Sequence, residues 1–309
     1  MRSLRLVWLG GALLIGTFSG CQNNHHVRLA ADNWPGNAPL SLADYLQYYD
    51  CPEYHLDIVQ LPSVQAIEEG LISGEFDGGT LTLVEAVMLK DRGHDIEVLF
   101  PFDYSSGADG LVAQQDIKSI SDLRGKRVGA ELETVSHYFL LEALESAGLG
   151  ADDVEIVNLE ASQSAAAFAA RDVDACATWE PALSEIIRRF DAQLLFSSRD
   201  IPGRIVDVLV LKKDAMRDHP ELAGQLLRGW DRALDYLHDN DSAATAIMAA
   251  EIRVSPQEFR DALVGIELLR SDEMEREELD KRSEDVRRFL ARKGMVTRRP
   301  DALALVPTY

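Results

Sequence analysis

Cysteine and positive charge are both scarce in this sequence. Its three cysteines, Cys21, Cys51 and Cys176, stand far apart and form no CxxC motif or cysteine–histidine cluster, so no metal site is predicted. We interpret Cys51 and Cys176 as small apolar core residues, with a disulfide between them as the alternative. The chain has 31 basic and 52 acidic side chains, a formal net charge of −21. Because this charge repels nucleic acid and anionic lipid head groups, neither is expected as a partner.

Three common catalytic motifs are missing as well. Gly125-Lys126 lacks the upstream glycine and the following Ser or Thr of a phosphate-binding loop. Neither the GxSxG nucleophile elbow nor the HExxH zinc motif occurs, and Ser136 and His137 are adjacent, so their side chains diverge. These absences argue against an enzyme, and no cofactor is predicted.

The first twenty-one residues have the pattern of an export signal. Two arginines precede an apolar run over residues 6–18, and two small residues precede Cys21. The run is shorter than the roughly 20 apolar residues of a membrane span. Residues 18–21 resemble the bacterial lipobox, so we predict a signal peptide over residues 1–20, a diacylated mature N-terminus at Cys21 and a polar tether over residues 21–26. An ordinary signal peptide with an incidental cysteine is the alternative.

Strand-like and helix-like segments alternate from residue 27 to residue 212, and only helices are predicted beyond. This alternation predicts open α/β sheets with helical crossovers, and its length predicts two doubly wound lobes. No Pro/Gly/Ser-rich linker separates the lobes, so we expect two crossing strands at residues 111–113 and 208–210. Lobe 1 is then predicted over residues 27–112 plus 209–309, and lobe 2 over residues 113–208.

Several segments of the chain look like those of a known family. The segment ending Lys126-Arg127-Val128-Gly129 and the tripeptide Trp179-Glu180-Pro181 are the most specific, and the full set comprises residues 33–36, 78–82, 103–109, 122–129, 174–181 and 203–208. From about residue 27 to about residue 270 the chain resembles the substrate-binding proteins of ABC importers for nitrate, taurine, alkanesulfonates and thiamine-pyrimidine precursors.

The resemblance implies a fold and a way of working. The fold is a type II periplasmic-binding-protein clamshell of α/β class, whose two lobes close on a small solute. The implied partner is an ABC permease in the inner membrane, which reads the closed form of a monomeric, lipid-anchored protein facing the periplasm or cell exterior. The resemblance also places Thr80 and Ser105 among the ligand-binding residues.

Aromatic and acidic side chains follow several predicted strands, where an α/β sheet presents side chains to a ligand. Four flat rings, those of Trp34, Tyr104, Tyr138 and Trp179, can hold an apolar or cationic ligand as a group, although any single ring is more often core packing. The carboxylates Asp103, Asp109, Glu180 and Asp207 favour an amine-bearing ligand, because a carboxylate desolvated in a closing cleft needs a partner. For each of them, a solvated surface carboxylate is the alternative.

A predicted helix start at Thr134 and Ser136 adds an anion site. Free backbone N–H groups and two hydroxyls there suit a sulfonate or carboxylate, although Thr134 is equally interpretable as a plain helix cap. Carboxylates together with this helix start favour a zwitterion such as taurine or another aminosulfonate. A thiamine-pyrimidine precursor or another cationic amine is the alternative ligand. A sensory ligand-binding component, or an enzyme of the same fold, is the alternative from another class.

Overall fold

Two β-sheets organise residues 25–297, the part of the chain that the structure, a computed structural model, describes. In chain order the strands are β1 (His25–Ala31), β2 (Tyr54–Gln60), β3 (Gly78–Thr82), β4 (Ile96–Ser105), β5 (Asp109–Ala113), β6 (Arg127–Ala130), β7 (Glu155–Asn158), β8 (Ala175–Trp179), β9 (Gln193–Ser197), β10 (Val206–Lys212) and β11 (Ile266–Leu268). The first sheet has the order β11-β4-β10-β3-β1-β2, and the second has the order β7-β6-β8-β5-β9.

Helices cover both sheets. They are α1 (Ala38–Tyr45), α2 (Val64–Ser73), α3 (Leu83–Asp91), α4 (Val135–Ser146), α5 (Ala161–Ala170), α6 (Ala182–Phe190), α7 (Lys213–Asp218), α8 (Leu222–Asp239), α9 (Asp241–Glu251), α10 (Pro256–Leu263) and α11 (Arg276–Arg292). We call the first sheet with its helices the first lobe, and the second sheet with α4, α5 and α6 the second lobe.

Each sheet combines parallel and antiparallel strands. In the first, β1 pairs in parallel with β2 and β3, whereas β10 is antiparallel to β3 and β4. In the second, β6 pairs in parallel with β7 and β8, whereas β5 is antiparallel to β8 and β9. The central strands β3, β5 and β8 are buried along their whole length, as strands covered on both faces must be.

The chain passes between the lobes twice, as predicted, but not at the predicted residues. β5 lies wholly in the second sheet and β10 wholly in the first, so the crossings fall in the preceding segments, 106–108 and 198–205. The predicted crossings, 111–113 and 208–210, are interior parts of β5 and β10. The sequence could not distinguish a crossing segment from the buried strand that follows it, because both can be short apolar runs.

Other parts of the sequence prediction need correction or lie outside the described residues. β1 begins at His25, so two residues of the predicted tether form strand, and β11 interrupts the region predicted to be helical only. The predicted signal peptide and Cys21 lie outside residues 25–297.

Within residues 25–297, no helix is both long enough and apolar enough to cross a membrane. Cys51 and Cys176 are free thiols.

Candidate functional site

A small cavity lies between the two lobes. Five of the predicted site residues line it: Trp34, Thr80, Asp109, Trp179 and Asp207. Its volume is about 30 Å³, room for on the order of two water molecules. The lobes are therefore nearly closed on each other in this conformation, and a solute enters only after they separate.

Seven further lining residues were missed from the sequence: Asp32, Asn37, Val64, Leu81, Thr82, Val135 and Ile205. Asp32 had a usable signal, because it directly follows β1, where α/β sheets present ligand-binding side chains. Val64 and Val135 are the first residues of α2 and α4, and Ile205 ends the second crossing. These apolar residues carry no local signal that distinguishes a cavity wall from a core.

Four buried aspartates gather at the cavity, and we call Asp32, Asp103, Asp109 and Asp207 the aspartate cluster. None of them is more than 8% exposed. Asp103 and Asp207 face each other in the β4–β10 ladder, so two buried carboxyl groups are neighbours there.

Burial is the main cause of the raised pKa values in this cluster, because it disfavours the charged form of a carboxyl group. It raises the pKa of Asp32 to about 6 and that of Asp109 to about 7, against the hydrogen bonds that lower them. Burial, followed by the charge of Asp103, raises the pKa of Asp207 well above its ordinary value. These carboxyls are held at a cost that a cationic ligand would offset.

Four polar atoms of the residues that line the cavity have no hydrogen-bond partner among the described residues. They are Asn37 Oδ1, Asp109 Oδ2, Asp207 Oδ2 and the hydroxyl oxygen of Thr80. Leaving such an atom buried and unpaired costs about 1–3 kcal/mol. All four can accept a hydrogen bond and two are carboxyl oxygens, so the complementary group is a hydrogen-bond donor with positive charge.

Two tryptophans, one from each lobe, close the cavity. The rings of Trp34 and Trp179 are 5.9 Å apart in an edge-to-face arrangement with an interplanar angle of 78°. The indole Nε1 of Trp34 donates to Asp103 Oδ2 at 2.9 Å, which fixes the ring. A Cβ at Gly36 would lie 1.8 Å from that oxygen, so this approach requires glycine. The rings offer apolar walls and faces that attract cations.

The predicted anion site at the start of α4 is occupied by another residue of the chain. Thr134 caps the helix, accepting from the backbone N–H of Ser136, and neither residue lines the cavity. The N–H of Val135 donates to Glu85 Oε1 at 2.5 Å. Glu85 belongs to α3 in the first lobe and is fully buried. The helix start was located correctly, but a carboxyl group from the opposite lobe already takes its N–H.

A second carboxyl crosses the interface in the reverse direction. Glu131 of the second lobe accepts from the backbone N–H of Gln65, near the start of α2 in the first lobe, at 3.2 Å. At the rim, Glu133 forms an ion pair with Arg92 at 2.8 Å. The closed arrangement is therefore stabilised by hydrogen bonds that join a carboxyl of one lobe to a helix start of the other.

Ser105 belongs to the crossings rather than to the cavity wall. Its Oγ lies 2.8 Å from the Oγ of Ser198, which also accepts from the N–H of Gly107 at 2.6 Å. Ser198 thus joins the first crossing to the second. Burial raises the pKa of Asp109, and the neighbouring Ser105 opposes that rise, so Ser105 acts on the cavity indirectly.

Two predicted site residues have other partners. The ring of Tyr138 packs on Phe289 with centroids 4.8 Å apart, and its hydroxyl donates to Glu142 at 2.8 Å, so it is a core residue. Glu180 accepts from the backbone N–H and the hydroxyl of Ser184, and it lines a separate groove beside α6. Neither residue lines the cavity between the lobes, since a side chain that follows a strand can turn away from the cleft as readily as into it.

Comparison with known proteins finds relatives that match more than half of the chain. A family model described as NMT1/THI5 like matches residues 34–244. Over 170 residues the chain is 29% identical to the taurine-binding periplasmic protein of Escherichia coli (strain K12), an alignment covering 54% of this chain and 52% of that protein. The chain thus spans about half the length of the curated relatives it matches.

Solved structures match over nearly the whole chain. The alkanesulfonate-binding protein SsuA from Xanthomonas axonopodis pv. citri, bound to MOPS, superposes with a TM-score of 0.78 at 18% identity, covering 91% of this chain and 96% of that one. The desulfurization enzyme DszB superposes with a TM-score of 0.66 at 20% identity, covering 91% and 95%. These matches confirm the two-lobed clamshell fold of periplasmic binding proteins that the sequence predicted.

Proposed function

Because the chain belongs to the NMT1/THI5-like family, we propose that it captures a small organic solute carrying a protonated amine and delivers it to an ABC importer. The observation that carries this proposal is the presence of two unpaired carboxyl oxygens, Asp109 Oδ2 and Asp207 Oδ2. Both residues line a cavity whose walls include Trp34 and Trp179. An ammonium group there would donate to these oxygens and face the rings.

The proposed mechanism is opening and closing about the two crossings. Ligand contacts from both lobes favour the closed form, since a ligand shifts a conformational equilibrium only by its differential affinity for the two states. Asp109 and Trp179 come from the second lobe, whereas Asp207 and Trp34 come from the first. A solute that reaches all four therefore stabilises closure, which the permease reads.

Two kinds of amine-bearing solute fit this proposal. A zwitterion such as taurine is supported by the name of the Escherichia coli relative. An aromatic cation resembling a thiamine-pyrimidine precursor is supported by the tryptophan pair. Both would place their amine among the aspartates, and a plain alkylamine would do the same.

We propose binding without catalysis, although DszB shows that an enzyme can share this fold. No histidine, cysteine or lysine lines the cavity within the described chain, and we assign the aspartates that do line it to the ligand's amine rather than to catalysis. A sensory role is the remaining alternative. Copurification with a permease supports the importer role, and copurification with a signalling protein instead contradicts it.

A thermal-shift panel tests the proposed function. The panel contains taurine, an alkanesulfonate, nitrate, bicarbonate, an aminopyrimidine and a quaternary amine. A ligand present at 100 times its Kd stabilises the folded protein by about 2.7 kcal/mol, which raises Tm by several degrees. We expect such a rise with at least one amine-bearing compound and none with nitrate or bicarbonate. A rise with nitrate or bicarbonate alone would contradict the amine proposal.

Export and lipid attachment form a separate proposal, which rests on the residues preceding the described chain. We expect Cys21→Ala to move the protein from the membrane fraction to the soluble fraction, because stable attachment requires the acyl chains on that residue. Cys51→Ala is the matched control and should leave the distribution unchanged. Membrane association retained by Cys21→Ala would refute lipid attachment at this cysteine.

A further inference from the structure

Building on the proposed function, we infer that the solute is a cation without an anionic group, and that Glu85 fills the position where a ligand's anion would otherwise bind. The inference concerns the charge class of the solute and the residue that selects it. It rests on the two helix starts, on the charges of the cavity wall and on the two rings.

The start of α4 offers its N–H groups to a carboxyl of the protein itself. Glu85 Oε1 accepts from Val135, and Glu85 Oε2 accepts from the backbone N–H of Thr82 at 3.0 Å and from the Thr82 hydroxyl. Three donated hydrogen bonds hold this buried carboxyl in place. In either protonation state, its oxygen occupies the position that a sulfonate oxygen would need.

At the start of α2, too, a carboxyl group of the opposite lobe accepts a backbone N–H. Glu131 accepts from Gln65, and the hydroxyl of Ser63 accepts from Ala66 at 3.3 Å. At both helix starts, the first residue of the helix is a valine that lines the cavity, Val64 in one lobe and Val135 in the other. The cavity thus meets apolar side chains at two helix starts, where free backbone N–H groups would otherwise attract an anion.

The ionisable side chains on the cavity wall are all acidic. Asp32, Asp109 and Asp207 line it, and no lysine, arginine or histidine within residues 25–297 does. An anion would lie a few ångströms from unpaired carboxyl oxygens with no neutralising group, an arrangement that low-dielectric surroundings make costly. A monocation would instead satisfy Asp109 Oδ2 and Asp207 Oδ2, and it would contact the faces of Trp34 and Trp179.

Matched ligands separate a cation from a zwitterion. Taurine and ethylamine share the aminoethyl group and differ in the sulfonate, while ethanesulfonate lacks the amine. By isothermal titration calorimetry we expect the wild-type protein to bind ethylamine at least about tenfold more tightly than taurine, a difference of about 1.4 kcal/mol, and not to bind ethanesulfonate. In the thermal-shift panel, every compound that binds should carry net positive charge.

Two variants of Glu85 test its role in selection. Glu85→Ala frees the N–H of Val135 and should raise the affinity for taurine relative to ethylamine by about tenfold, because a helix start attracts anions. Glu85→Gln keeps the shape and should shift the ratio in the same direction by less, which preserves the test if the alanine variant does not fold. Glu142→Ala, on the outer part of α4, is the control and should leave the ratio unchanged.

The outcomes distinguish this inference from the function on which it rests. Tighter binding of taurine than of ethylamine by the wild type, binding of ethanesulfonate, or an unchanged ratio in both Glu85 variants would overturn the inference and leave solute capture intact. If no compound of the panel or of the matched set binds, the proposed function itself fails.

Discussion

Asp207→Asn is expected to reduce the affinity for an amine-bearing solute by about 30-fold or more, because removing one partner of a buried charge pair costs about 2–5 kcal/mol. Asp207 lines the cavity from β10 and lies opposite Asp103 in the β4–β10 ladder, and its Oδ2 has no partner among the described residues. The asparagine keeps the size of the side chain but replaces an oxygen with an amide that donates. Its NH₂ group would then compete with the ligand's ammonium for the neighbouring carboxyl groups.

Titration calorimetry with the tightest binder of the panel measures this loss. Asp231→Asn is the matched control, since Asp231 is a half-buried aspartate on α8 that accepts from Ser271 and is remote from the cavity. We expect its affinity to equal that of the wild type. An affinity of Asp207→Asn within threefold of the wild-type value would remove Asp207 from the binding site.

Much of the fold was predictable because its signals are local. Alternating strands and helices indicate doubly wound sheets in any sequence, and the apolar segments that became β8 and β10 are long enough to be recognised as buried strands. The helix start at Thr134 followed from a capping residue before an apolar run. The three-residue strand β11 was missed because it is too short for its period to be seen.

The site was less predictable because its decisive contacts join the two lobes. Glu85 occurs in a helix-capping pattern with Thr82, which fully explains it within α3. Its contact with Val135, fifty residues later, exists only after the lobes close. Asp109 and Asp207 line the cavity because strand ends converge on a cleft by topology, whereas Tyr138 and Glu180 do not line it, because only packing decides which way a side chain turns.

The aspartate cluster predicts an unusual dependence of stability on pH. Burial raises the pKa of Asp109 to about 7, against 3.8 for the unburied group. Between these values the folded protein holds a proton that the unfolded chain has released, so stability increases as pH falls through 7 and is fully recovered below 4. Lowering the pH from 8 to 5 should stabilise the ligand-free protein by about 3 kcal/mol through this residue alone, at 1.36 kcal/mol for each pKa unit.

Chemical denaturation of the wild type and of Asp109→Asn at several pH values measures this contribution. The variant cannot take up the proton, so we expect it to be the more stable of the two at pH 8 and to lose that advantage near pH 5. A saturating cationic ligand should reverse the trend in the wild type, because it favours the ionised carboxyls and dissociates as they become protonated. Equal pH dependence in the two ligand-free proteins would show that Asp109 ionises normally, and the cavity would then lack the stored electrostatic cost that binding of a cation is proposed to relieve.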